Sequence, residues 1–367
     1  MRLFFVLGLL VWLSGCQPHS AQETLERYLE RLNRALELSQ PVADLQITPL
    51  AAWPPPSASQ VALTEIRLGV FETYALRSCP DLLGLIAQRN NQLGRVMPLA
   101  LRLEYELELS QRLHACYRQA LQMEQEDLAE QLRPLIDQVD QRLPAIFWNF
   151  LVASEAMRGL MRLSRGPLPL TAQPLEQEAQ ALLETLLNLN QQLTFNQQFN
   201  LDQQRGQPEE QPTPIRLGAY LQPLQDQAPV GQLLQSLILA EATLKAAQRQ
   251  LDARLTGPPL CPQPTPSLPR AQTSQRVLLQ TFISEIQPWM AQLERQAHIW
   301  LPALNQLLDQ PDAPEVIQTW RQNWIDPAEP ATPWRRFQQA HREHARLWEA
   351  LLQQCGLQVG LEAVQTD

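Results

Sequence analysis

Leucines at helical spacing, cut into lengths by proline, constrain this chain more than any other feature. Leu25, Leu29, Leu32 and Leu36 recur at steps of four, three and four and are flanked by Glu and Arg. That pattern makes one helix face apolar and the other solvated. The same periodicity predicts helices over 62–77, 80–91, 98–130, 132–165, 173–202, 215–225, 229–255, 272–309, 313–325 and 334–355. Pro134, Pro144, Pro288 and Pro302 are expected to start, kink or divide the longer ones, because proline brings no N–H to the helix. The segments 40–59, 206–214 and 257–269 are rich in proline and polar residues and read as loops. One passage alternates with a period of two: Leu99, Leu101, Leu103, Tyr105, Leu107 and Leu109. It contains good helix formers and no β-branched residue, so it too is assigned to a helix. The expected class is all-α, an elongated bundle of long antiparallel helices joined by Pro-rich turns. Residues 23–355 form a single domain in this reading, with a break at 166–171 that allows two lobes, and 356–367 form a C-terminal tail.

The first sixteen residues read differently. Arg2 is followed by the apolar run Leu3 to Leu13, which has the layout of a secretory signal and is shorter than the roughly 20 residues of a membrane span. The run ends in Leu13-Ser14-Gly15-Cys16, which resembles a lipobox, the recognition sequence of the lipoprotein signal peptidase family. That resemblance implies cleavage after residue 15 and acylation of Cys16, with residues 16–22 as a short lipidated tether. Two acyl chains already anchor a protein stably. Under the sorting scheme of Gram-negative lipoproteins, Gln17 in place of Asp favours the periplasmic face of the outer membrane, with the inner membrane as the alternative.

Composition narrows the partners. Removing Arg2 from the 29 basic residues leaves 28 against 38 acidic ones, a formal charge of 28 − 38 = −10. With no basic cluster, nothing provides the electrostatic footprint of a nucleic-acid binder. Glycines number 13, which suits helices better than phosphate-cradling loops.

If Cys16 carries lipid, Cys79, Cys116, Cys261 and Cys355 remain. An even set in an exported chain points to disulfides, and four cysteines allow three pairings. The local pairing, Cys79–Cys116 with Cys261–Cys355, fits the helix pattern. A helix over 80–91, a turn at Asn91-Gln92-Leu93-Gly94 and a second helix from Pro98 return Cys116 to the level of Cys79. The other pair staples a Pro-rich loop to the end of the last helix, where Gly356 can cap.

Arg89-Asn90-Asn91-Gln92-Leu93-Gly94-Arg95, followed by Tyr105-Glu106 and Cys116, resembles a Gram-negative lipoprotein family of unknown function whose members are exported and helical. The resemblance is firmest over 23–120. It implies the helical reading of 98–116 and brings no catalytic residue.

Arg89, Asn90, Asn91 and Glu106 form the first polar cluster to consider, either as a small-ligand site or as a helix cap with its ion pair. Trp320 and Trp324 share a helix face and read either as core or as a partner contact. His341 and His344 lie at i, i+3, read as a solvated face, and lack a third metal ligand. No nucleophile elbow, P-loop or dinucleotide fingerprint is present, so no catalytic residue, metal or cofactor is assigned. The leading expectation is a non-enzymatic, membrane-anchored protein that binds or scaffolds an envelope protein. The alternatives are an envelope hydrolase using paired carboxylates and a carrier of lipid or another hydrophobic ligand.

Overall fold

A computed structural model describes residues 20–39, 45–63, 76–90, 97–196 and 216–358. Among these residues the structure is helical without strands. Its centre is α9 (Pro229–Thr256), which buries Leu233, Leu237, Ala240, Leu244, Ala247 and Leu251 on one side and Val230, Leu234, Ile238 and Leu239 on others. A helix buried nearly all round has to be wrapped by its neighbours. Along its length lies α13 (Pro333–Gln354), where Arg336 bonds Glu241, and Gln248 donates to the Ala340 carbonyl. Those contacts climb both helices in the same direction, so α9 and α13 run parallel. So do α7 (Glu176–Asn196) and α11 (Gln287–Leu308): Arg295 meets Glu176, and Gln310, just beyond α11, reaches Asn190. The expected up-and-down order therefore holds only for some neighbours, because long connections let a helix return before it packs.

Around this centre lie α1 (Ala21–Ala35), α6 (Glu155–Leu160), α8 (Leu217–Gln225), α10 (Pro269–Val277) and α12 (Glu315–Trp324). Helix α1 starts on a capping box in which Ser20 and Glu23 satisfy each other's backbone N–H groups. Between α10 and α11, residues Leu278–Ile286 widen into a π-helix, and the Gln287 N–H still reaches back to the Phe282 carbonyl.

The antiparallel pair α4 (Leu99–Gln122) and α5 (Glu126–Ala153) explains the period-two leucines. Leu103 and Leu107 face the main core, whereas Tyr105, Leu109 and Leu113 face a second, smaller core. Two buried faces on one helix put apolar residues at alternate positions, which imitates a strand. The second core also takes Leu82, Leu85 and Ile86 from α3 (Pro80–Asn90), and the Cys79–Cys116 disulfide closes it. The division between cores thus falls along this hairpin, while Leu160, Met161, Leu168 and Ala179, on both sides of 166–171, share the main core.

Helix boundaries differ from the expected ones: the helix over 132–165 breaks at Ser154, between α5 and α6, and ends at Leu160. The break expected near residue 131 lies at Met123–Gln125, where Glu124 takes a left-handed conformation (φ 56) and the Gln125 N–H closes back on Ala120. From there α5 runs through both Pro134 and Pro144. The expected helix at 62–77 falls largely outside the described residues; 76–78 form a single 3₁₀ turn.

Residues 45–63, with the short helix α2 (Pro56–Ser59), run as a belt fastened by side chains. Trp53 donates to the Val152 carbonyl at 2.8 Å and Trp148 to that of Ser59 at 2.9 Å. The Asn149 amide bonds both the N–H and the carbonyl of Val61. The second disulfide, Cys261–Cys355, ties the loop after α9 to the end of α13, where Gly356 (φ 71) caps as its sequence position implies.

Gly231 marks the closest approach to α9, since a Cβ there would stand 2.2 Å from the Arg162 carbonyl oxygen. We expect Gly231→Ala to destabilise by about 1–3 kcal/mol through overpacking. Gly218→Ala on α8, where a Cβ meets nothing within 4 Å, should be neutral or stabilise by under about 1 kcal/mol. Urea unfolding of the two variants checks this contrast.

Candidate functional site

Among the described residues, two polar clusters tie several elements together. The first forms a seam on successive turns of the α4–α5 hairpin. Glu106 is wholly buried and accepts from Arg142 at 2.6 Å, with Arg102 one turn away at 4.0 Å. Further along, Asp140 accepts from Ser110 at 2.6 Å and is bonded by His114 at 2.7 Å. Arg133 then donates to the Tyr117 hydroxyl and lies over its ring. Each carboxylate here is bound to a cation or hydroxyl of the facing helix. The chemistry available is that of ties between helices.

The second cluster joins α1, the π segment and α13. Tyr28 lies in the α1 leucine stripe, fully buried, with its hydroxyl 2.7 Å from His344 Nε2. Trp348 donates its indole N–H to the Tyr28 oxygen at 3.1 Å and lies 3.2 Å from the same imidazole nitrogen. Two donors converge on Nε2, so the hydrogen-bond network assigns it as the acceptor and puts the ring proton on Nδ1. The Phe282 ring packs 4.4 Å from the imidazole. Burial, helped by the nearby His341, holds His344 down at about 3, so it is neutral at pH 7. Burial also raises Tyr28, against the opposing effect of the Trp348 bond. A neutral histidine and an un-ionised phenol make a stable polar knot with no proton to exchange at neutral pH.

The residues singled out from sequence separate in space. Arg89 and Asn90 end α3, whereas Asn91 and Cys16 lie outside the described residues. Glu106 is a buried ion-pair partner. Trp320 is buried, packed edge-on against Trp53 at 4.6 Å, and donates to the Ala51 carbonyl. Trp324 is half-buried against the same core. His341 and His344 diverge: His341 meets Glu294 at 3.4 Å, while His344 turns inward, contrary to the solvated face expected for both. Its burial was readable, since Phe337, Ala340, His344, Leu347, Trp348 and Leu351 follow one apolar stripe. Tyr28 was readable in the same way, because a phenol inside a leucine stripe needs a polar partner. Among the described residues, no group of three or more His, Cys, Asp or Glu is placed to hold a metal ion. No described helix is long and apolar enough to cross a membrane.

A family model described as "Protein of unknown function (DUF3080)" matches residues 25–359. The chain belongs to this family. The DUF3080 match runs from Leu25 in α1 to just beyond α13, so it spans both cores, both disulfides and both polar clusters. No curated protein and no solved structure matches the chain.

The Glu106–Arg142 pair gives a direct test of the seam. Arg142→Met leaves a buried carboxylate without its main counter-charge and should cost about 3–5 kcal/mol. The double variant Glu106→Leu/Arg142→Met should cost much less than the sum of the two single changes in urea unfolding. Additive losses would mean that the pair is not coupled.

Proposed function

We propose that this chain is an exported lipoprotein, acylated at Cys16, that binds or scaffolds another component of the cell envelope. The observation that carries the reading is the pair of cross-links, Cys79–Cys116 and Cys261–Cys355. Structural disulfides of this kind form and persist in oxidising compartments such as the bacterial periplasm. They use every cysteine except Cys16, the one that ends the lipobox-like run. Gln17 after that cysteine favours the outer membrane, periplasmic face, over the inner membrane. Four residues separate Cys16 from the start of α1, so an extended tether keeps the body within about 20 Å of the lipid.

A binding or scaffolding role is supported by where the charges go. Glu106, Asp140 and Glu241 are each held by residues of a neighbouring helix, as is Arg321 by Asn305. Carboxylates engaged in this way serve as ties between helices. The reading includes no cofactor and no nucleic acid.

Cys16→Ser should move the protein from the membrane to the soluble periplasmic fraction; unchanged membrane retention would contradict the anchor. In vivo crosslinking of the acylated protein, followed by detergent extraction and mass spectrometry, should recover one recurrent envelope protein. Recovery of this chain alone under every growth condition would contradict the scaffolding role.

A further inference from the structure

Three polar groups meet at the Tyr28–His344–Trp348 knot, and they are satisfied in only one protonation state. With neutral His344, the Tyr28 hydroxyl donates to Nε2 and the Trp348 N–H donates to the Tyr28 oxygen. If Nε2 gains a proton, it too becomes a donor. Two N–H groups then converge on the Tyr28 oxygen, and the phenol's own proton loses its acceptor inside the core. A buried cation is added to a site lined by Phe282. Among the described residues, the groups bonded to the imidazole are those of Tyr28 and Trp348.

Several charged groups on the surrounding elements are bonded away from the knot. On α1, Arg27 reaches Glu285 of the π segment and Arg31 bonds Thr281. On α13, His341 meets Glu294 of α11, and Glu343 pairs with Arg346, toward which Asp252 of α9 also lies. Glu241 of α9 holds Lys245 and Arg336, and Arg254 faces Glu37. Among the described residues, no carboxylate bonds the imidazole.

We propose that α1 is a proton-released strap: when His344 takes up a proton, α1 and its Tyr28 leave the face formed by α9, α10, the π segment and α13. The sign follows from linkage. His344 is held at about 3 when α1 is docked and returns toward 6.5 when it is free. Docking is therefore fully favoured above about pH 6.5 and weakens as pH falls toward about 3. Between pH 7 and pH 5 these values give a roughly 25-fold rise in the released form. Histidine is the usual carrier of such switches because its charge changes in this range.

Release has a consequence for reach. The next described side chain packed against the main core is Leu45, 45 − 16 = 29 positions from Cys16. A tether under about 20 Å lengthens to at most about 100 Å if that stretch is extended. This consequence rests on acylation of Cys16; the release itself does not.

Hydrogen exchange on the detergent-extracted full chain tests the release, after correction for the pH dependence of intrinsic exchange. Peptides within 21–35 should exchange about 25-fold faster at pH 5 than at pH 7, while peptides from 99–153 should not. His344→Leu should remove that pH increment whatever its baseline. If this variant does not fold, the wild-type exchange of α1 must rise about tenfold per pH unit between pH 6 and pH 4, while histidine-selective NMR shows docked His344 still neutral. Equal α1 protection at both pH values, or an undiminished increment in His344→Leu, overturns the proposal. Intact-mass measurement on the same sample reports the lipid separately, so an unacylated Cys16 would sink the anchor and leave the strap standing.

Discussion

The burial of α9 on nearly every side is the constraint from which the rest of the architecture follows. A helix with Leu234, Leu237, Ile238, Ala240 and Leu244 all inside leaves only a narrow stripe of Lys245, Arg249 and Asp252 to water, so other helices must surround the rest. Gly231 lets the chain near Arg162 come against its first turn, and small residues such as Ala240 and Ala247 let neighbours approach closely. Parallel packing of α13 along α9 then places His344 and Trp348 where α1 closes over them. The Tyr28 knot is a consequence of that enclosure, since α1 contributes the last polar atom the buried imidazole needs.

The α4–α5 hairpin obeys a different constraint. It serves two cores at once, and its inner seam carries Glu106, Arg142, Ser110, Asp140 and His114 in mutual contact. The smaller core has few apolar residues of its own, so a covalent closure is worth proportionately more there. A disulfide of that loop length typically stabilises by about 2–4 kcal/mol. Cys79–Cys116 ties the start of α3 to the outer half of α4, and Cys261–Cys355 ties a Pro-rich loop to the end of α13. The first bridge spans 37 residues within one hairpin, whereas the second spans 94 and joins the loop after α9 to the end of the last helix.

Much of this was legible in the sequence, and the failures have physical causes. Leucine periodicity gave the helices, and the local cysteine pairing followed from a helix–turn–helix path. The 99–109 passage was assigned correctly on propensity, yet its alternation made sense only once α4 was seen to bury two faces. The turn at Glu124 was missed because a glutamate in the left-handed region carries no glycine or asparagine signal. Pro134 and Pro144 lie inside α5, so proline alone did not locate the boundary. The π segment has no compositional mark. Trp320 was visible as an aromatic, but its partner Trp53 lies in a belt that only the folded chain brings near. The i, i+3 spacing pairs His344 with His341 on a solvated face, but His344 belongs to the apolar stripe of Phe337 and Leu351, which buries it.

The helical body closes through two bridges, and we propose that they form in an oxidising compartment with Cys16 left for acylation. Peptide mapping of protein taken from cells under acidic quench, without reductant, is the decisive measurement. It should yield a fragment joining Cys79 to Cys116, another joining Cys261 to Cys355, and no mixed pairs. Four freely alkylated thiols, or bridges that cross between the two pairs, would contradict both the fold's closure and the compartment inferred from it.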